Sequence, residues 1–244
     1  MNLPPENIFG HTKKLAYILD HLRQVAEKNP SATVLDFGCG NGSAVSQYIV
    51  GALREAATYV GVDIHTESIA YANKHFGKPN ARFTNVLPEA GTCDMIVYAD
   101  VLEHLDQPLE MLREHQRLLK PGGVIVGSIP NGVGPFEIES AIDRRFQISR
   151  RIARARSKAA GNTSAIPYNS DSGHLQFYRK KPFLRMIEDA GFHVTEFKNG
   201  TFFGAMVTER VLRLGGTPLM RANTAVAEVL PYWAVSTWLF AARR

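Results

Sequence analysis

The chain has 244 residues, 45% hydrophobic and 21% charged, with 20 Gly, 13 Pro and two cysteines. That composition excludes a disordered tail, a collagen and a coiled coil, and the two thiols, Cys39 and Cys93, exclude a disulfide-dense scaffold. The formal charge of +5 is small but localised: no Asp or Glu occurs in residues 144–170, which hold seven Arg or Lys.

The N-terminus lacks an apolar run behind basic residues and does not read as a signal peptide. The longest apolar-rich stretch, 229–242, is 14 residues long and contains Pro231, Ser236 and Thr237. A membrane span needs roughly 20 apolar residues. The expectation is a cytoplasmic protein.

Leu15, Ile18, Leu19, Leu22 and Val25 have amphipathic spacing and predict a helix over 8–27, ended by Asn29, Pro30 and Ser31. A β-rich run follows at 33–37, then a glycine-rich turn, then a helix over 43–53. Further strands are expected at 58–63, 81–84, 94–98 and 124–129, with helices at 68–76 and 109–119. Short apolar strands alternating with helices are the pattern of βα units on a mostly parallel sheet covered on both faces. Beyond residue 129 the pattern thins to a helix at 180–190 and strands at 192–197 and 235–242. The reading is one domain over 1–244, with a basic acceptor-side lid inserted at 130–179 and a second, apolar insertion at 199–234.

The first strand ends in Asp36 and runs into Gly38, Gly40 and Gly42, whose missing side chains let a ligand approach the backbone. A helix N-terminus beside such a loop favours negative charge or polar oxygens. Asp63 ends the second strand, where a carboxylate can accept from both hydroxyls of a ribose. A dinucleotide site requires a third glycine three residues after Gly40, and position 43 is Ser. Asp36 would repel a pyrophosphate but suits a cationic amino group. The combination favours a ligand carrying a ribose and an α-amino acid.

Residues 34–42, Val-Leu-Asp-Phe-Gly-Cys-Gly-Asn-Gly, resemble the first motif of the Rossmann-like S-adenosylmethionine-dependent methyltransferases, and Gly61-Val62-Asp63 resembles the next. Residues 93–105 resemble the fourth-strand motif, and 118–123 the turn before the fifth strand. Residues 128–131, 174–178 and 187–192 continue the similarity, which covers roughly 30–195, and 238–243 fit the last strand. The subtype resembled is the small-molecule, ubiquinone-methyltransferase-like one.

The resemblance implies a doubly wound three-layer α/β/α fold on a seven-stranded, mostly parallel sheet with an antiparallel last strand. It implies S-adenosylmethionine as cofactor, with Asp36, Gly38, Cys39, Gly40, Asn41 and Gly42 around its methionine part and Asp63 on its ribose. Ile64 would flank the adenine. Asn85, beside Val86, would replace the acidic residue that the family commonly has there. Tyr98, Ala99 and Asp100 would line the floor under the sulfonium.

Methyl transfer needs an acceptor atom about 3 Å from the methyl and in line with it, and a base when the acceptor is a hydroxyl. His104, after Glu103, reads either as that base or as a ring that bonds the backbone and fixes its loop. His174, placed on the acceptor side by the resemblance, is the preferred catalytic residue of the two. Asp100 is a third candidate, limited to electrostatics beside a sulfonium. His11, His21, His65, His75, His115 and His193 show no metal-ligand spacing, Glu103-His104 lacks the rest of a zinc motif, and no metal is expected.

The basic residues Arg144, Arg145, Arg150, Arg151, Arg154, Arg156 and Lys158 interleave with Phe146, Ile148 and Ile152. On a helix they fit a solvated lid face, an anionic acceptor or peripheral membrane contact through 144–158; nucleic acid ranks lowest. The expected function is transfer of a methyl group to a small or lipid- or glycan-linked acceptor, at oxygen. The alternative is a regulatory or scaffold protein that binds the cofactor without catalysis.

Overall fold

Along strand β1 (Thr33–Phe37), Val34 and Leu35 point to opposite faces, and the same alternation in neighbouring strands creates two apolar layers. The computed structural model describes residues 3–7, 9–146, 173–203, 208, 212 and 214–244. Its elements in chain order are α1 (His11–Lys28), β1, α2 (Ser46–Ala52), β2 (Thr58–Val62), α3 (Thr66–Phe76), β3 (Ala81–Thr84) and β4 (Cys93–Ala99). A 3-10 turn (Leu102–His104), α4 (Pro108–Leu118), β5 (Leu119–Pro130) and α5 (Pro135–Phe146) follow. The rest comprises α6 (Lys180–Asp189), β6 (His193–Asn199), α7 (Gly216–Val229), a 3-10 turn (Tyr232–Ala234) and β7 (Thr237–Arg243).

The strands form one seven-stranded sheet in the order β3-β2-β1-β4-β5-β7-β6. Strands β1 to β5 pair in parallel, whereas β7 runs antiparallel to both β5 and β6. Leu15, Ile18 and Leu22 of α1 pack with Ile49 of α2 and Ala72 of α3 on the face presenting Val34, Met95, Val97 and Val126. Leu112 and Leu118 of α4 and Phe183 and Ile187 of α6 cover Leu35, Ile96 and Ile125 on the other. The three-layer expectation and the antiparallel last strand are both present. The chain leaves β1 for β2 and β3 on one side and crosses to β4 and β5 on the other. The crevice between β1 and β4 is therefore the switch point, where ligands of open α/β sheets bind.

Two local signals explain the helix ends. Pro108 opens α4, with Glu110 in its first turn and Arg117 in its last, the arrangement that complements the helix dipole. Asn29 caps α1 by donating its backbone N–H to the Val25 carbonyl, and Pro30 follows. The sequence reading starts the fifth strand at 124, yet β5 begins at Leu119, which pairs with Cys93 before the chain loops through Pro121, Gly122 and Gly123. Helices α5 and α7 occupy parts of the 130–179 and 199–234 connections to which the sequence reading assigns no helix. The basic residues from 147 to 158 lie outside the described residues.

Two buried titratable groups flank the switch point with opposite effects. Asp36, 2% exposed, accepts at Oδ2 from the Ser46 hydroxyl and the Tyr59 hydroxyl, each at 2.7 Å. Burial dominates and pushes its carboxyl up to about 6, against the two hydrogen bonds. His115, fully buried under the sheet, hydrogen-bonds the Tyr98 hydroxyl through Nδ1 at 2.8 Å, and burial pulls it down to about 4. Asp36 therefore contributes stability below its unfolded value near 3.8 that is lost as pH rises through about 6. His115 contributes stability above its unfolded 6.5 that is lost as pH falls toward about 4. Between these limits the two slopes oppose each other.

Denaturant melts of the ligand-free protein at pH 4 and pH 7 test this opposition. Asp36→Asn is expected to lose more stability, relative to the parent, at pH 4 than at pH 7, and His115→Phe less, each difference being up to about 3 kcal/mol. Parallel pH profiles for parent and both variants would contradict the assignment.

Candidate active site

The loop after β1 closes under the end of β2. The backbone N–H groups of Gly38 and Cys39 both donate to the Val62 carbonyl, at 2.8 and 3.1 Å. Gly38 has φ +72° and a Cβ there would meet Val101 at 2.6 Å, so this glycine is demanded by conformation and by packing. Gly40 differs: φ is +54°, but a Cβ would meet nothing within 4 Å. Its backbone faces open space, as a loop that admits a ligand requires. Asn41 Oδ1 accepts from the Ser43 N–H at 3.0 Å, and Gly42 packs against Phe76.

Asp63 joins this loop to the next helix. Its Oδ2 accepts from the Gly40 N–H at 2.8 Å and its Oδ1 from the His65 N–H at 2.9 Å. A carboxylate has about four acceptor positions, so two of them remain for a ligand. Register places Val62 beside Thr84, which sets Ile64 and Val86 at one level past the ends of β2 and β3. Both are large apolar side chains held out in solvent, at 87% and 66% exposure, with Asn85 exposed beside them.

Asp36 lies beneath the glycine loop, committed to Ser46 of α2 and Tyr59 of β2. Cys39 is half-buried, and burial pushes its thiol well up, away from thiolate chemistry. Tyr98 is fully buried and turned toward His115 and Phe37, so only its backbone reaches the crevice end of β4. Ala99 is partly buried and Asp100 follows it.

Asp100 has φ +56°, the only positive value of a non-glycine among the described residues. Lys14 of α1 pairs with its Oδ2, and the Ser128 hydroxyl of β5 donates to Oδ1 at 2.5 Å. Burial alone would raise this carboxyl, but Lys14 and Ser128 outweigh it and hold Asp100 below the usual carboxylate range. Lys14 is a site residue that the sequence reading does not single out. Its signal is a lysine among the inward residues of α1, where it is only 8% exposed.

The turn after Asp100 meets residues 173–178. The Glu103 carbonyl accepts from the N–H groups of Leu175 and Gln176, and the Leu102 carbonyl accepts from the Tyr178 hydroxyl. This lacing brings His104 and His174 to a ring separation of 5.1 Å. His104 Nδ1 bonds the Gly173 carbonyl at 3.0 Å, and His174 Nδ1 bonds Glu137 Oε1 at 2.7 Å. Glu103, 1% exposed, has no hydrogen-bond partner for Oε2, and burial, then Asp100, pushes its carboxyl well up. Among the described residues, Glu103, His104 and His174 have ligand atoms within 4.8 Å of one another, close enough to share a cation. Along-chain spacing joins Glu103 to His104 but not to a histidine 70 positions later. Glu137, on α5, carried no sequence signal that separated it from a solvated helix face. Around His174 stand Phe136 and Phe177, and Leu175 and Phe177 are more than half exposed.

No described helix is long and apolar enough to cross a membrane. Residues 9–196 match a family model described as a methyltransferase domain. A probable S-adenosylmethionine-dependent methyltransferase of Mycolicibacterium smegmatis is 26% identical over 231 residues, 93% of this chain and 75% of that protein. The ubiquinone biosynthesis O-methyltransferase of Vibrio parahaemolyticus is 29% identical over 126 residues, covering 48% of this chain and half of that protein. A solved geranyl diphosphate methyltransferase in complex with SAM shares the fold, with a TM-score of 0.60 and 18% identity, covering 94% of this chain and 84% of that one. On the match over residues 9–196, the chain belongs to the methyltransferase-domain family, with S-adenosylmethionine as its cofactor.

Proposed function

We propose that this protein transfers a methyl group to a hydroxyl oxygen of a small, largely apolar or lipid-linked acceptor. The acceptor would sit against Asp100, Glu103, His104 and His174. The observation that carries the reading is the pair of imidazoles at the end of β4, 5.1 Å apart, beside the glycine loop. Oxygen as the acceptor atom is supported by curated relatives named as O-methyltransferases of ubiquinone biosynthesis and of malonyl-[acyl-carrier protein]. The exposed Leu175 and Phe177 beside His174 suit an apolar acceptor body. Two free cysteines suit a reducing compartment, and we assign the cytoplasm.

The residues present fit the cofactor. When bound, it supplies a methyl group activated by a sulfonium. Gly40 leaves the backbone open where a methionine chain would lie, and Asp63 retains acceptor positions for two ribose hydroxyls. Ile64 and Val86 offer apolar surface to both sides of an adenine. Lys14 neutralises part of the Asp100 charge, so that carboxylate presents a damped field to a cation above it. Phe136 and Phe177 pack against the His174 ring, and the lacing of 173–178 onto the Leu102–His104 turn holds it in place. Handling the hydroxyl proton falls to the cluster of His104 and His174.

Calorimetric titration with S-adenosylhomocysteine tests the cofactor half. Gly40→Ala is expected to weaken binding at least tenfold while costing only about 1–2 kcal/mol of stability, since the new methyl enters open space but sits at positive φ. Asp63→Ala is expected to weaken it at least tenfold too, because Gly40 and His65 also lose their acceptor. Unchanged dissociation constants would contradict this placement.

The acceptor half is tested with methyl-labelled cofactor over a panel of hydroxyl, amine and carbon acceptors. Transfer to hydroxyls is expected, and His174→Ala and His104→Ala should each lower it about 100-fold or more with cofactor affinity kept. Preferential labelling of amines, or tight cofactor binding with no transfer to any acceptor in a cell extract, would overturn the reading.

A further inference from the structure

The two histidines of the cluster are not equivalent. A carbonyl or carboxylate oxygen only accepts, so each neutral ring bears its proton on Nδ1, His104 toward the Gly173 carbonyl and His174 toward Glu137 Oε1. In both rings the lone pair is therefore on Nε2. The difference lies in what stands at each end. His104 is backed by a neutral carbonyl, and its Nε2 is 3.8 Å from Glu103 Oε1, on a carboxyl that burial and then Asp100 push toward the neutral form. His174 is backed by a carboxylate 2.7 Å away, and among the described residues nothing bonds its Nε2.

Glu137 lies in the first turn of α5, where an acidic residue that served only the helix dipole could stay in water. It is instead turned inward, at 6% exposure. Among the described residues, His174 is the one side chain that its carboxylate hydrogen-bonds or pairs with. A buried carboxylate without a partner is costly, so this bond holds both the tautomer and the direction of the ring. Phe136, next to Glu137 in the chain, and Phe177 flank the same ring at centroid distances of 5.9 and 6.5 Å.

From this asymmetry we infer that Glu137 is the positioning residue that makes His174, and not His104, the base of the reaction. The inference rests on the proposed methyl transfer to oxygen and deepens it by dividing the roles within the cluster. The acceptor oxygen forms its bond to the methyl carbon as the carbon–sulfur bond breaks, with that electron pair staying on sulfur. The hydroxyl proton passes to His174 Nε2. The ring becomes an imidazolium with a proton on each nitrogen, and the Glu137 carboxylate meets its charge without taking a proton itself. Water receives the proton from Nε2 after the methylated product has left. His104 has no counter-charge behind Nδ1; it stands edge-on to the His174 ring and contributes to its placement.

Two measurements on the full chain test the dyad. Proton–nitrogen NMR of protein labelled at histidine nitrogen, recorded at pH 8 without cofactor or acceptor and assigned with His174→Gln, reads the tautomer. The Nδ1–H form is expected for His174 in the parent, with a shift toward Nε2–H in Glu137→Ala; the Nε2–H form in the parent overturns the proposal. The second measurement is kinetic, with methyl-labelled cofactor and the hydroxyl acceptor that the parent methylates fastest. Glu137→Gln, near-isosteric and verified as folded by circular dichroism, should lower kcat at least about tenfold. The KM for the acceptor and the affinity for S-adenosylhomocysteine should stay within about twofold of the parent. In a His174→Ala background the same substitution should cost nothing further, because its effect runs through that ring. Glu137→Gln at the parent rate, or losses that multiply in the double variant, overturns the dyad and leaves methyl transfer to oxygen standing. A parent that methylates no hydroxyl removes the proposed function itself, and the base with it.

Discussion

Asp100 bends the chain at the floor of the crevice, and its left-handed backbone is the constraint around which the proposed acceptor side is arranged. An L-residue at positive φ costs about 1–2 kcal/mol, and the conformation persists only where the surroundings enforce it. Here they come from two separate elements: Lys14 on α1 holds one carboxylate oxygen and Ser128 on β5 the other. Both bonds are assisted by charge, the kind that outweighs a strain of that size. With Asp100 so fixed, the chain turns directly into the Leu102–His104 turn, and Glu103 and His104 are aimed by the end of β4 instead of by a free loop. The N-terminal helix is thereby part of the site, although it lies outside the βα units that form the rest of the crevice.

The second organising fact is how much ionisable chemistry is taken out of water near the strand ends. Asp36, Glu103 and His115 are all buried, and in each case burial is the largest influence on the proton. Each has a different compensation. Asp36 is held by two hydroxyls and His115 by one, while Glu103 has a free oxygen. The first two therefore read as parts of the scaffold, a staple between β1, α2 and β2 and a polar contact under β4. Glu103 Oε2 and His115 Nε2 both lack a hydrogen-bond partner, and of the two only Glu103 stands beside His104 and His174.

The sequence disclosed what is local and concealed what is not. Alternating apolar runs and short connections marked the strands from 33 to 129, because each strand buried on both faces must be apolar nearly throughout. Gly38, Gly40 and Gly42 were legible because a turn of that kind leaves few other residues possible, and all three have positive φ. Lys14, Ser128 and Glu137 were not legible, since each acts on a residue about 30 to 90 positions distant. Tyr98 shows the opposite limit. The motif around it reads as crevice floor, yet strand alternation turns its ring into the α4 layer, where His115 meets it. Helices α5 and α7 leave little local signature, because the surrounding segments are dense in apolar and basic residues whose helical and irregular readings look alike without a packing partner.

That division has a consequence for what determines the acceptor. The proposed cofactor side is built from the ends of consecutive strands and their backbone N–H groups, which other sequences of the same fold supply with different side chains. The proposed acceptor side is assembled from separate pieces: the turn after β4, Glu137 on α5 and the 173–178 segment, with Phe136 and Phe177 around His174. No single strand fixes their mutual position. Their alignment depends on main-chain bonds from Glu103 to Leu175 and Gln176 and on the bond from His174 to Glu137, which tie α5 to the core through the histidine itself. A change in α5 or in 173–178 would therefore alter the acceptor side while leaving Gly40 and Asp63 where they are. On the proposed assignment, acceptor choice is free to vary on a fixed cofactor site, because the two halves of the crevice are held by different bonds.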